Sequence, residues 1–452
     1  MSAPRPIVIV TGANAGVGYG ICERFLLQLS EKTPHDVLPQ FKSLAASNPP
    51  ETTPEVYDGL TIILACRSKE RALEARTTLL NSLDQHIAKL KKRADYDGHA
   101  ERFRENVELN YHRVDMADVQ SVFDFAEELS NTYPYVSHLI CNAGAAFFSL
   151  IDIPGAIRSF LFRGIIPSIT VVPYKVQPTG LMSKDGLGAV WHCNLFGHYV
   201  MYRRLQSLFK SYAEKFSRPA RVLWTSSLEA QPCWYNRDDW QLVKTDHAYE
   251  GSKYEIDLVS SELQRRSQEL GGEAAIVRHI TVHPGIVWSD MSKNMIWSVF
   301  NVFIGLAFYI GRWMGSPNHA IKPVPGGISA TYCALASLAL IPTGLLAFSH
   351  VQTSKKQPSS LWEDSLYNLS LYEGGLESAE KTKEAEQQGK FIPVKFGSQA
   401  DRLGREYVGA MPVVGWETHK EEAAFLLEKC ETLYTSFATL NKSSSQVNGD
   451  TA

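Results

Sequence analysis

Residues 7–26, IVIVTGANAGVGYGICERFL, begin as a β-branched run, pass through a glycine-rich turn and close on a helical pattern. Gly12, Gly16 and Gly18 give the turn the spacing TGxxxGxG. Glycines permit a tight turn and let backbone N–H groups approach an anion at the positive end of the next helix. Strand, turn and helix in this order are the context a dinucleotide pyrophosphate requires, which nominates Gly12, Asn14, Gly16, Val17 and Gly18 as its neighbours. A plain strand–helix connection is the alternative.

Working outward, further short apolar runs alternate with helical stretches: TIILACR, ELNYHRVD, HLICNAG, ARVLWTSS, IVRHITVHPG and GLLAFSHVQ. Such runs suit strands covered on both faces, and the alternation predicts an α/β fold with a doubly wound parallel sheet. GLLAFSHVQ is expected to be the last sheet strand. Residues 31–58, rich in Pro, Ser and Thr, and residues 147–187 read as insertions. The first domain is expected to end at residue 351, with a mainly helical, polar extension over 352–440 and a disordered tail over 441–452.

At 452 residues with 44% hydrophobic and 21% charged side chains, the chain has an ordinary globular composition. A formal net charge of -3 offers no overall attraction to nucleic acid. The seven cysteines form no CxxC pair, which favours reduced thiols over a disulfide framework or a zinc site. His192, His198 and His283 lack metal-ligand spacing. The segment MSAPRPIVIVTG has no h-region, so no secretory signal is expected.

At the end of the second run stands Arg67, with Lys69 nearby, where a site selecting NAD usually carries an acid. A guanidinium suits the additional phosphate of NADP, so NADPH is the expected cofactor; a solvated arginine at a strand end is the alternative. The 31–58 insertion lengthens the separation from the glycine turn beyond its usual span. Later in the chain come NAG at Asn142–Gly144, Asn194 in HCNLFGHY, Ser226–Ser227 in LWTSS, YEGSK at Tyr249–Lys253, and HPGIVWS at 283–289. Four residues make about one helical turn, so Tyr249 and Lys253 share a face.

In this order the motifs resemble the short-chain dehydrogenase/reductase family, over about residues 5–350. The resemblance implies a Rossmann-like sheet and carbonyl reduction. Tyr249 would donate the proton. The phenol's ordinary value of about 10 would be lowered by the Lys253 ammonium, which would also hold the nicotinamide ribose. Ser227 would orient the carbonyl, with Ser226 as the alternative. The 22 positions between Ser227 and Tyr249 exceed the family's interval, and the added loop, with Trp234 and Trp240, is expected to line the substrate entrance. Asn194 would hold a water beside Lys253. Asp115 would face the adenine, its alternative being a helix N-cap; Asn142 and Gly144 would pass the ribose, and Val287 and Ser289 would contact the nicotinamide amide.

The insertions and the long tail narrow the resemblance to the fungal sterol-ketone reductases of C-4 demethylation in ergosterol biosynthesis. That implies NADPH-dependent conversion of a 3-keto sterol to its 3β-alcohol on the cytosolic face of the endoplasmic reticulum or on lipid droplets. It also implies demethylation-complex partners and an oxidosqualene cyclase. A different steroid, retinoid or polyketide reductase is one alternative, and a non-catalytic scaffold is another. Residues 294–311 hold no charge, which sits at the threshold for a membrane span. A lid or monotopic segment over about 290–315 is the preferred reading, flanked by the apolar insertion around Arg158 and Arg163.

Overall fold

The computed structural model describes residues 5–40, 56–148, 150–170, 172, 174–270, 276–288, 298–344 and 391–449. In chain order the elements that carry the site are β1 (Ile7–Thr11), α1 (Gly16–Leu29), β2 (Leu60–Cys66), α2 (Lys69–Leu90), β3 (Val107–Arg113), α3 (Val119–Thr132) and β4 (His138–Cys141). There follow the short strands β5 (Leu150–Ile151) and β6 (Lys175–Val176), then α4 (Gly197–Arg204), β7 (Ala220–Thr225), α5 (Ala248–Leu270) and β8 (Val277–His283). The last elements are α6 (Ser298–Trp313), α7 (Ile328–Leu335), β9 (Val394–Ala400), β10 (Glu406–Pro412) and α8 (Trp416–Gly449).

Eight strands form one sheet in the order β10-β9-β8-β7-β4-β1-β2-β3, parallel throughout except for β10. The predicted α/β architecture is therefore present. Successive strand residues point to opposite faces, so Ile7 and Ile9 enter one apolar layer while Val8 and Val10 enter the other. The first layer packs Phe125, Trp191, Phe196 and Trp224, and the second packs Phe25, Leu79, Leu83 and Tyr332. Strand order reverses between β1 and β4, which opens a crevice at their carboxyl ends, where such sheets bind ligands.

The chain beyond residue 352 departs from expectation. GLLAFSHVQ falls largely outside the described residues, and the place beside β8 is taken by β9, with Thr281 opposite Lys395 and Val282 opposite Phe396. β10 then closes the edge as an antiparallel hairpin partner. Helix is present as expected, since α8 follows and lays Ala423, Leu426, Leu427 and Cys430 into the first apolar layer. That helix continues to Gly449, through most of the tail expected to be disordered, because each added residue extends an established ladder by one hydrogen bond.

The first insertion is anchored where it begins. Asp36, fully buried, accepts from Arg24 Nε at 2.6 Å and Nη2 at 2.9 Å, and Arg24 also pairs with Glu406 of β10. Three distant segments thus meet on one guanidinium.

Candidate active site

The glycine turn behaves as its sequence predicts. Gly12 has φ +67° and Gly16 φ +53°, in the left-handed region that favours glycine. A Cβ on Gly18 would lie 2.4 Å from Gly12 O and 2.6 Å from Asn142 Nδ2, so this position tolerates no side chain. α1 begins with no side-chain cap and no acid in its first turn. Its leading N–H groups are thus not committed to a side chain of their own, which fits a pyrophosphate. Asn14 and Val17 sit in the same turn, both partly exposed.

Across the crevice, Thr11 joins the turn to the NAG segment. Its hydroxyl accepts from Asn142 N and Ala143 N, each at 2.8 Å, and Asn142 Nδ2 donates to Thr11 O at 2.9 Å. His198 Nε2 stands 2.9 Å from the same hydroxyl, and His198 Nδ1 bonds Asn194 O at 3.0 Å. Burial lowers the His198 imidazole to about 4, so it is a neutral bridge near pH 7. Sequence reasoning does not point to Thr11, although the T of TGxxxGxG is a usable signal, and it names His198 only as lacking metal-ligand spacing.

Asn194 lies in a π-helical turn, His192–Phe196, just before α4. Its Oδ1 accepts from Ala145 N at 2.7 Å, and its Nδ2 donates to Ala145 O at 3.1 Å and Ser252 Oγ at 2.9 Å. π-turns concentrate at functional sites. A Cβ on Gly144 would lie 3.3 Å from Asn194 Oδ1 and 3.8 Å from Lys253 Nζ, so the backbone there passes close to both.

Tyr249 and Lys253 do share the face of α5. Lys253 Nζ is 5.7 Å from the Tyr249 ring centre and donates to Thr225 O at 2.8 Å. Burial first of all lowers its ammonium to about 8, against the opposing pull of Cys193, Asp257 and Cys141. Tyr249 differs from the sequence expectation. Its phenol is held above the ordinary value, by burial foremost and then by Glu229 and Glu250, while a hydrogen bond with Ser227 works the other way. The Lys253 ammonium, committed to a backbone carbonyl, does not reverse this balance.

The two serines part company. Ser227 bonds the Tyr249 phenol and accepts from Glu229 N at 3.1 Å. Ser226 is buried and donates to Lys253 O at 3.3 Å. In the added loop, the Trp240 ring meets Trp191 edge-on at 5.1 Å, and Lys429 of α8 lies over it at 5.9 Å. Trp234 stacks on His247 at 3.7 Å, just before α5.

Arg67, exposed at the end of β2, approaches Asp115 Oδ2 to 3.9 Å, so the residues expected around the adenosine end do converge. Asp115 is not a helix N-cap; it accepts from Ala117 N at 3.1 Å, and Asp118 caps α3 by accepting from Ser121 N. Val287 pairs with Ile321 in an isolated bridge beyond β8, and its Cγ2 would lie 2.5 Å from a Cβ on Gly326. Ser289 lies outside the described residues, as do 290–297.

Two groups of buried charge were invisible in the sequence. Lys175 Nζ, from β6 of the second insertion, bonds Glu229 Oε2 at 2.7 Å. Lys395 Nζ, from β9, bonds Asp257 Oδ2 at 2.6 Å and Ser227 O at 3.0 Å.

The chain aligns with curated fungal proteins. It is 29% identical over 329 residues to the 3-keto-steroid reductase of Kluyveromyces lactis, spanning 73% of this chain and 80% of that one. This protein resembles the fungal 3-keto-steroid reductases. With the Eremothecium gossypii 3-keto-steroid reductase the identity is 33% over 50% of this chain and 62% of that one. With Saccharomyces cerevisiae 3-keto-steroid reductase ERG27 it is 26% over 70% and 77%. No protein-family model matches the chain. The aligned proteins share the name 3-keto-steroid reductase.

Proposed function

We propose that this oxidoreductase is an NADPH-dependent 3-keto-steroid reductase, converting the 3-keto group of a sterol intermediate to a 3β-alcohol in C-4 demethylation. One observation carries the reading: Ser227, Tyr249 and Lys253 converge beside the crevice whose other wall is the glycine turn. The names of the aligned relatives support the substrate class.

The backbone of the Gly12–Gly18 turn and the start of α1 would hold the pyrophosphate, and Arg67 the ribose phosphate. Asp115 would face the adenine. Asn142, Gly144 and Lys253 would flank the nicotinamide ribose, with Val287 and Ser289 toward its amide. Bound NADPH supplies the hydride that adds to the carbonyl carbon. Ser227 donates to the carbonyl oxygen and orients it, and the Tyr249 hydroxyl gives that oxygen its proton. The Lys253 ammonium stabilises the phenolate left behind, and Asn194, through Ser252 and Ala145, keeps the Lys253 wall in place.

A water-insoluble substrate suits a membrane surface, and we place the protein on the cytosolic face of the endoplasmic reticulum or on lipid droplets. Supporting this, helix Ile165–Thr170 of the insertion packs on α6, and Leu161, Phe162, Leu306, Trp313 and Met314 are exposed on these neighbouring segments. No helix among the described residues is long and apolar enough to cross a membrane. Partners of a sterol-demethylation complex and an oxidosqualene cyclase belong to the same reading.

The test is turnover of a panel of sterol 3-ketones, steroid 17-ketones and retinoids by purified protein with NADPH. Sterol 3-ketones should be reduced to 3β-alcohols; reduction confined to another class rejects the assignment. A strain lacking the protein should accumulate 3-keto sterols.

A further inference from the structure

The second insertion reaches the proton donor. β5 and β6 form a two-stranded antiparallel sheet, closed by Asp152 N donating to Tyr174 O at 2.9 Å. This strand pair delivers the Lys175 side chain into a place where it is only 8% exposed. There its ammonium sits between two carboxylates, at 2.7 Å from Glu229 Oε2 and 4.0 Å from Glu250 Oε1. It lies 4.7 Å from the Phe148 ring centre and 5.8 Å from that of Tyr249, nearly the distance at which Lys253 stands from the same ring.

Both acids are themselves tied to the reacting residues. Glu229 N donates to Ser227 Oγ, while the Glu229 carboxylate accepts from Val172 N at 3.1 Å. Glu250 follows Tyr249 in α5, and its Oε2 accepts from Gln177 Nε2 at 2.7 Å; Gln177 Oε1 in turn accepts from Tyr249 N at 2.9 Å. Glu250 Oε1 is buried with no hydrogen-bond partner among the described residues. Two buried carboxylates beside a phenol oppose its ionisation, and a buried ammonium between them offsets that. The charged groups facing Tyr249 are thus Lys253 and Glu250 from α5, Glu229 from the segment after β7, and Lys175 from β6.

We propose that Lys175 is a positioning residue for the reduction: the insertion supplies a second ammonium that balances Glu229 and Glu250, keeping Tyr249 able to give up its proton. The proposal rests on the ketone-reductase reading above. It assigns the insertion a role in the chemistry as well as in covering the substrate.

Reduction draws its proton from the phenol, so the proton-transfer step slows as the phenol becomes a weaker acid. In Lys175→Met, Glu229 and Glu250 are left unbalanced and the phenol holds its proton more tightly. Glu250 can take up a proton and damp the change, so kcat at pH 7 should fall about tenfold while the KM for NADPH stays within about twofold. Lys175→Arg keeps the charge and should keep the wild-type kcat. The decisive variant is Lys175→Met with Glu229→Gln, which removes one positive and one negative charge together and should return kcat to within about threefold of wild type. It also avoids stranding a buried charge, so it keeps the test open should the single variant fail to fold. The proposal is overturned if folded Lys175→Met keeps the wild-type kcat, or if the double variant fails to recover it. Absence of turnover of every ketone by the wild-type protein would instead reject the reductase reading, and this inference with it.

Discussion

On the glycine-turn side of the crevice, Thr11, Asn142, Asn194 and His198 are joined by hydrogen bonds among neutral groups and backbone. The Tyr249 side, by contrast, is held by full charges out of water: Lys175 with Glu229 and Glu250, and Lys395 with Asp257. Neutral networks cost little to bury once each group has a partner, whereas buried ions depend on a partner of opposite sign at close range. One wall can therefore be assembled from local motifs. The other needs segments far apart in the chain to arrive together, and it tolerates the loss of a partner far less well.

The largest effect should come from Tyr249→Phe, the single group assigned to proton donation. Ketone reduction should fall by about 10²–10⁴-fold, while NADPH affinity, read by its fluorescence, stays within about twofold. Full activity in this variant would remove Tyr249 from the chemistry and favour a scaffold role. Next, Lys395→Met leaves Asp257 buried and unpaired, each being 1% exposed, and should destabilise the protein by about 3–5 kcal/mol in urea unfolding. Adding Asp257→Asn should recover much of that loss. If the single variant is as stable as wild type, the charged wall is not the fragile one.

Arg67→Ala probes the neutral wall at its one charged end. The KM for NADPH should rise about ten- to hundredfold with that for NADH unchanged, as removal of charge-assisted bonds to one phosphate predicts. Equal change for both cofactors would show that Arg67 does not read the phosphate. The smallest effect concerns the bridge of that wall. His198 is held down to about 4 by burial, against about 6.5 in an unfolded chain. Between these values the unfolded chain binds the additional proton, so stability conferred by the neutral imidazole is fully present above about pH 6.5 and is lost as pH falls toward 4. Unfolding measured across pH 4–7 should be less steep in His198→Gln than in wild type; an identical slope would contradict the assignment.

Much of the glycine-turn wall was legible because its signals are local. The spacing of Gly12, Gly16 and Gly18 reports positive φ and close approach within one turn, and Arg67 follows β2 directly. The contact of His198 with Thr11 is not legible in the sequence, since nothing near it in the chain shows that the two face each other. On the other wall, Ser227 and Ser226 are adjacent in sequence, yet the strand sends one toward Tyr249 and the other beneath α5. That Trp191 and Lys429 meet the Trp240 ring is likewise set by residues far from it in the chain. The lowering of the Tyr249 phenol that the resemblance implies leaves out the two acids, Glu229 and Glu250, that the fold brings to the same ring.

The sequence alone already determined a parallel α/β sheet, the tight glycine turn at the end of β1, and a phenol and an ammonium on one face of a helix. Each is a matter of short-range period and dihedral preference, which neighbouring residues set. Only the tertiary structure decided that β9 and β10 complete the sheet, that Lys395 supports Ser227 from below, and that Lys175 stands beside Tyr249. Those pairings join residues 138 and 54 positions apart, Lys395 with Asp257 and Lys175 with Glu229, and no local pattern encodes which distant charge a buried ion will meet.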